Sequence, residues 1–284
     1  MKIIHVLLMA FLLNVSIQAQ DESEEKKDTL WTPRGIIGLN LSQVAFENWS
    51  QGGENSIAFT LFTLLGLDYI GDPWKWKNTL KVTYGRTKVG DQEYRTNDNE
   101  IFFESLLIHH VNWEVSPYAG VTARTAVTKG FDYSVVPALQ IVDLLDPLYL
   151  TQGLGFIYDK IDNFSFRLGV GFKQTFASDF SSTYTDDPDT PNEVEDFKFE
   201  SGIESVTTYK VKFLENMEYF TYLRLFGRFE DISVWDVRWD NILVAKINDY
   251  FNVNFNLLLI YDVDETLKTQ IKEALQLGIS YTLF

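Results

Sequence analysis

The chain has 284 residues with 40 acidic against 24 basic side chains, and this formal charge of −16 excludes a nucleic-acid-binding surface. It contains no cysteine, so disulfides, thiolate catalysis and a cysteine-linked lipid anchor are excluded together. Aromatic residues make up 15% of it, with 22 Phe and 14 Tyr, a density that suits a lipid-facing wall with girdles of rings at its edges better than a dry globular core.

In chain order, Lys2 precedes an apolar run from Ile3 to Leu13, which Asn14, Ser16 and Gln18 close before Ala19. This is the pattern of a secretory signal peptide over residues 1–19, cut near Ala19, and the run is far short of the ~20 apolar residues of a spanning helix. Residues 20–33 open with the run 21–28 (DESEEKKD) and are expected to form a short charged leader. From residue 34 onward apolar and polar residues alternate in one segment after another. Phe251, Val253, Phe255, Leu257, Leu259 and Tyr261 alternate with Asn252, Asn254 and Asn256, and Phe164, Phe166, Leu168, Val170 and Phe172 stand against Arg167 and Lys173. The same pattern sets Val237, Trp239, Leu243, Ala245 and Ile247 against Arg238, Asp240 and Lys246, and Leu275, Leu277, Ile279 and Tyr281 against Gln276, Gly278 and Ser280.

The pattern predicts about twelve strands, at 34–43, 56–69, 75–85, 100–111, 115–128, 148–158, 164–176, 197–213, 218–229, 237–247, 251–261 and 271–284. The fold class expected over 34–284 is all-β, an antiparallel up-and-down transmembrane barrel, for which an even strand count is usual. Connections alternate between short (70–74, 112–114, 159–163, 214–217, 248–250) and long (44–55, 86–99, 129–147, 177–196, 230–236, 262–270), as in barrels with tight periplasmic turns and long outer loops. Tyr69, Trp74, Trp76, Trp113, Tyr118, Tyr158, Tyr219, Tyr250 and Tyr281 fall at the turn ends of strands and Tyr84, Tyr149, Trp239 and Tyr261 at the loop ends, where interfacial rings belong. The terminal Phe284 fits a barrel's last strand, although it lies one residue out of phase with the lipid face that Leu283 continues.

Within the first long connection stands LSQVAFENWSQGGENS (41–56), whose core is Trp49, Gly52, Gly53 and Asn55; a second block, PLYLTQGLGFIYD, spans 147–159. These segments resemble the signature of the domain of unknown function 3078 family of Bacteroidota outer-membrane proteins. The resemblance implies an outer-membrane barrel of a Gram-negative bacterium and transfers no catalytic residue. Turn chemistry alone accounts for the motif, since glycines supply positive φ and Asn bonds turn amides, while Trp49 can anchor the loop. A ligand site in this loop is the second reading.

Little here carries catalysis. His109 and His110 are adjacent on one strand and face opposite ways, so they cannot share a metal ion. Ser105 lies about 13 Å from His109 along the strand, too far for the serine–histidine pair of an outer-membrane lipid hydrolase, and no nucleophile elbow is present. The remote lipid-hydrolase reading therefore needs a serine from a neighbouring strand, and the chain is expected not to be an enzyme. Acidic clusters at Asp186, Asp187, Asp189, Glu193, Glu195 and Asp196 and at Asp262, Asp264 and Glu265 read as solvated outer loops, with calcium binding as the sharper alternative. The apolar run 135–145 (VVPALQIVDLL) in the third outer loop could plug the lumen, lie on lipid or bind a partner.

The face opposite the apolar one is more informative. Lys77, Lys81, Arg124, Arg167, Lys173, Lys210, Arg224, Arg228, Arg238 and Lys246 are expected inside against Glu100, Glu104, Glu204 and Asp240, an excess of six positive charges. Such charges either line a water path that selects by sign or lock in pairs that fill the barrel. The first reading is a passive pore or ligand-binding barrel for small polar or anionic solutes; the second is a non-conducting structural or accessory subunit of an envelope complex. Outer-membrane lipid, a small polar solute and envelope proteins are the partners implied, with no nucleic acid and no cofactor. The mature chain is expected to start near Gln20 and to migrate differently on a detergent gel before and after heating; an intact Met1 by mass spectrometry, or recovery as soluble protein, would contradict this reading.

Overall fold

The computed structural model describes residues 30–48, 50–187, 190, 193–264 and 266–284. Its strands in chain order are β1 (Trp31–Val44), β2 (Ser56–Ile70), β3 (Trp74–Val89), β4 (Arg95–His109), β5 (Ser116–Thr125), β6 (Gly130–Asp132), β7 (Leu139–Val142), β8 (Leu148–Tyr158), β9 (Phe164–Phe176), β10 (Phe197–Leu214), β11 (Met217–Arg228), β12 (Trp235–Lys246), β13 (Phe251–Asp262) and β14 (Thr266–Thr282). One helical turn, α1 (Ser181–Tyr184), lies between β9 and β10. Among the described residues twelve of these strands close into one antiparallel barrel, while β6 and β7 form a separate hairpin. Each barrel strand pairs with the next, β5 pairing with β8, and β1 closes on β14 through the six pairs from Ile36 opposite Thr282 to Leu41 opposite Leu277.

Directly opposed residues share a face, so one inward side chain fixes those beside it on every strand. Arg167 stands opposite Val206, Val206 opposite Arg224 and Arg224 opposite Arg238, and this row points inward. Leu154 stands opposite Val170 and Val170 opposite Ile203, a row on the outer face with Leu154 55% exposed. Exposed Trp31, Trp74, Trp76, Trp113, Tyr250 and Tyr281 ring the end with the short turns, Trp31 lying 5.2 Å from Tyr69 and 5.9 Å from Trp76 between ring centres.

All twelve expected strands are present, but several run further at the loop end. β3 continues to Val89, β4 begins at Arg95 and β14 at Thr266, so the expected long connections 86–99 and 262–270 shrink to 90–94 and 263–265. The alternation of long and short connections therefore fails at these two places. The physical reason is that ladder bonds form as readily between water-facing polar residues as between lipid-facing ones, and apolar periodicity reports only the latter. At the start, Trp31, Thr32 and Pro33, expected in the leader, already pair with β2, whereas residues 1–29 lie outside the described residues. Two rings expected at the interfaces are inside instead: Tyr118 is buried beside Leu106, Ile108 and Ile157, and Tyr149 stands opposite the inward Arg124. Both sit at even steps from inward neighbours, so strand parity overrides their position near a strand end.

An arginine on the lipid face of such a wall costs about 2–4 kcal/mol at mid-membrane and much less inside. Leu154→Arg is expected to impair insertion and refolding more than Asn256→Arg, which stays on the inner face opposite Ala274 and Ile242. Leu257 is a poorer probe, because Glu273 stands opposite it on the outer face and would pair with the new charge. Equal refolding yields of the two variants would contradict the assigned faces.

Candidate functional site

The inner face holds three layers of side chains. Nearest the turn end, Leu106, Ile108, Tyr118 and Ile157 form an apolar cluster on β4, β5 and β8; buried Phe226 on β11 lies beyond Arg224 toward the loop end, opposite Glu204 and Asp236. Glycines make room around Glu204: a Cβ on Gly171 would come within 3.1 Å of both Phe226 and Glu204, and one on Gly153 within 2.9 Å of the Glu204 carboxylate.

The middle layer is ionic. Glu100 on β4 accepts from Arg238 at 2.8 Å and lies 3.3 Å from Arg124 and 3.8 Å from Lys81. Arg238 also donates to Asp240 at 2.8 Å, Arg224 to Glu204 at 2.7 Å, and Arg167 to Glu104. β4 and β12 stand six strands apart in either direction round the twelve, so the Glu100–Arg238 pair spans the barrel between opposite walls. Phe102 on β4 and Tyr222 on β11 meet edge to face at 6.5 Å in the same layer. A cavity of about 90 Å³ remains among Phe102, Arg124, Tyr149, Tyr222, Arg224 and Arg238, room for a few water molecules.

Toward the loop end, Lys173 is buried among Asp236 at 2.9 Å, Asp262 at 3.1 Å and Glu200 at 3.2 Å. Arg228 contacts Glu200 at 2.8 Å and Asp264 at 2.9 Å, and Lys198 contacts Asp264 at 2.9 Å. Asp264 lies in the turn beyond β13; burial works to raise its pKa, but the hydrogen bond from Lys198 and the charges of Lys173, Lys198 and Arg228 hold the carboxyl below its ordinary range. Lys272 on β14 reaches Asp98 on β4 at 3.0 Å, four strands away. Above these, α1 sets Tyr184 edge-on to Tyr149 at 6.4 Å, its loop tied down where Asp146 accepts from the amides of Ser178 and Asp179.

Of the remaining inward residues expected from sequence, Lys77 stands opposite Asp68, Lys210 pairs with Glu218 at 3.0 Å, and Lys246 ends β12 opposite Asn252. The expected charge balance is corrected. Asp98, Glu200, Asp236, Asp262 and Asp264 share the interior with the further cations Lys198 and Lys272, so the positive excess shrinks. Asp236, Asp262 and Asp264, expected in the outer loops, lie on strand extensions or at a strand tip. Glu200 sits four residues before Glu204 on the same face, and continuing the parity outward would have found it.

The other candidates disperse. Gly52 and Gly53 take φ of +82° and +132°, a Cβ on Gly53 would come within 2.7 Å of the Phe46 ring, and Asn55 accepts from the Phe46 amide at 2.6 Å, while Trp49 lies outside the described residues. The motif folds the first loop on itself, and the Asn55 carbonyl accepts from Gly90 in the β3–β4 turn at 2.7 Å. His109 packs on Trp74 with ring centres 4.3 Å apart, and the Ser105 hydroxyl is held between Trp76 and Asn78, at 2.8 Å from each, so the two do not meet. In the fourth outer loop Glu195 accepts from Thr190 and from the Asp187 amide, whereas Asp189, like Glu265, lies outside the described residues. Among the described residues no group of three or more histidines and carboxylates has the geometry of a metal site. The third outer loop is not a plug: its hairpin leaves Val136 97% exposed, with Leu139, Leu144 and Leu145 also exposed.

The fold has distant counterparts among solved structures. The translocator domain of the autotransporter NalP from Neisseria meningitidis shares 8% identity over 98% of this chain and 95% of its own, with a TM-score of 0.39. An outer-membrane channel from Pseudomonas putida F1 shares 11% over 93% and 99% with a TM-score of 0.39, and OprB from Pseudomonas putida 8% over 89% and 94% with 0.36. Likenesses this remote carry nothing about activity. A search of curated proteins returns no significant match. Residues 41–131, from the first-loop motif through β5 to β6, match the profile of the family described as "Protein of unknown function (DUF3078)", the family that the motif resembles.

Proposed function

We propose that this chain is an outer-membrane β-barrel, exported through a cleaved signal peptide, whose lumen is held closed, so that it acts through its outer surface as a non-conducting structural or ligand-binding barrel. The observation that carries this reading is the Glu100–Arg238 pair between opposite walls. A solute passing through would have to part these two charges, then pass the buried Lys173 cluster on one side and the Ile108 cluster on the other. An apolar outer wall with rings at its edge supports a membrane location, because closure satisfies every backbone ladder in lipid.

The competing reading, a passive pore, draws on the polar character of the filling, since ion pairs can exchange partners whereas packed apolar side chains only fill space. Planar-bilayer recording separates the two. The refolded chain is expected to give no steady current, and an ohmic current from it would overturn the closed lumen. Arg238→Gln is expected to destabilise the barrel by about 3 kcal/mol, because it strips Glu100 of its closest cation within a largely buried network. Asp240→Asn combined with Arg238→Gln should recover part of that loss in a thermal unfolding measurement, since among the described residues Asp240 has no other cation while Glu100 keeps Arg124 and Lys81.

A further inference from the structure

At the loop end, on the outside of the wall, the tips of β3 and β4 and the loop between β5 and β8 border an open pocket of about 350 Å³, within the size range of small-molecule sites. Tyr84 and Arg86 come from β3, Tyr94 from the turn, and Lys129, Phe131 and Tyr133 from the loop. The walls are fixed. The Thr96 amide donates to the Tyr133 hydroxyl at 3.2 Å, and Asn99 accepts from the Val127 and Thr128 amides at 3.0 Å each, which sets the loop just before Lys129.

Charge is distributed unusually here. Arg86 and Lys88 lie 5.6 and 5.8 Å from the Tyr94 ring centre and Arg95 lies 5.0 Å from that of Tyr133. Among the described residues Arg86, Lys88, Arg95 and Lys129 form no ion pair, in a chain of net charge −16 whose inner cations largely face carboxylates. None of the described side chains lining the cavity is acidic, and the Arg86 Nε is buried without an acceptor while its other arm donates to the Tyr94 carbonyl. Uncompensated donors beside the cavity call for an anion. Four rings around it call for a flat, partly apolar body with hydroxyls at its edge, since tyrosine offers both a face and a polar tip.

We propose that this rim pocket binds a phosphorylated sugar, with the phosphate on Arg86 and Lys129 and the pyranose against Tyr94, Phe131 and Tyr133. Exposed Val136, Leu139 and Leu144 on the same loop set the pocket beside an apolar surface, which suits the headgroup of a glycolipid; a free sugar phosphate has the same chemistry. The inference does not depend on whether the lumen conducts.

The test is calorimetric titration of the full mature chain, refolded in zwitterionic detergent, with glucosamine 1-phosphate, glucosamine, inorganic phosphate, and micelles doped with a diphosphorylated diglucosamine lipid. The phosphorylated sugar, free or lipid-borne, is expected to bind more tightly than glucosamine or phosphate. Lys129→Gln and Arg86→Gln should each weaken it about tenfold, the usual worth of one charge-assisted hydrogen bond. Phe131→Ala should weaken the sugar phosphate and leave inorganic phosphate unchanged. Lys160→Gln, at the turn end where Lys160 pairs with Glu114, should bind as the parent does and serves as the control for refolding. Tighter binding of the doped micelle identifies a lipid headgroup as the source, and equal binding a free solute. No binding by either form, or parental affinity in both Lys129→Gln and Arg86→Gln, would overturn the proposal.

Discussion

A strand lying in lipid has no water to satisfy its N–H and C=O groups, so the wall must close on itself, and every other property of this structure follows from that closure. Once twelve strands are joined edge to edge, each residue has two choices of side and no third. Apolar side chains take the outside because the surroundings are apolar there. Charged ones are left with an enclosed interior, where the only partners are one another.

The inner network obeys that restriction. Arg238 meets Glu100 from the opposite wall because no carboxylate outside the barrel is open to it, and Lys173 collects Asp236, Asp262 and Glu200 from β12, β13 and β10. Packed apolar residues could fill the same space with at least equal stability, so stability does not explain why this interior is ionic. Specificity does: pairs such as Arg238–Glu100 and Lys272–Asp98 join strands far apart in the barrel, and a slip of one residue in any of these strands would turn a charge toward lipid and orphan its partner.

Sequence showed the parts of the fold that lipid enforces. All twelve strands could be located because alternation is strict where one face is apolar, and Arg167, Arg224 and Arg238 could be set on one face by parity alone. Legibility stopped where lipid stops. Asp262 and Asp264 looked like loop residues because the apolar–polar alternation of β13 breaks at Leu258 and Ile260 before it reaches them, yet β13 carries Asp262 inward to Lys173 and Asp264 follows at its tip. Pairing across the lumen is not visible in one sequence either. Glu100 and Arg238 are separated by 138 residues, and only the closed register brings them together.

The same strand extensions that escaped the apolar pattern build both chemically distinctive places in the molecule. On the inner side they carry Glu200, Asp236 and Asp262 to the Lys173 cluster; on the outer side the tip of β3 carries Arg86 to the rim pocket with Lys88 beside it. Paired and unpaired charges thus separate between the two faces at this end of the sheet, because alternation sends each new charge to a face and the inner one supplies the partners. Cations on the outer face above the lipid find rings in place of carboxylates, and a cation held over a ring keeps most of its charge available to a ligand. The closure that silences the charges inside therefore leaves those at the outer rim free to act, and it is there, rather than along the axis of the barrel, that the structure has chemistry to offer a second molecule.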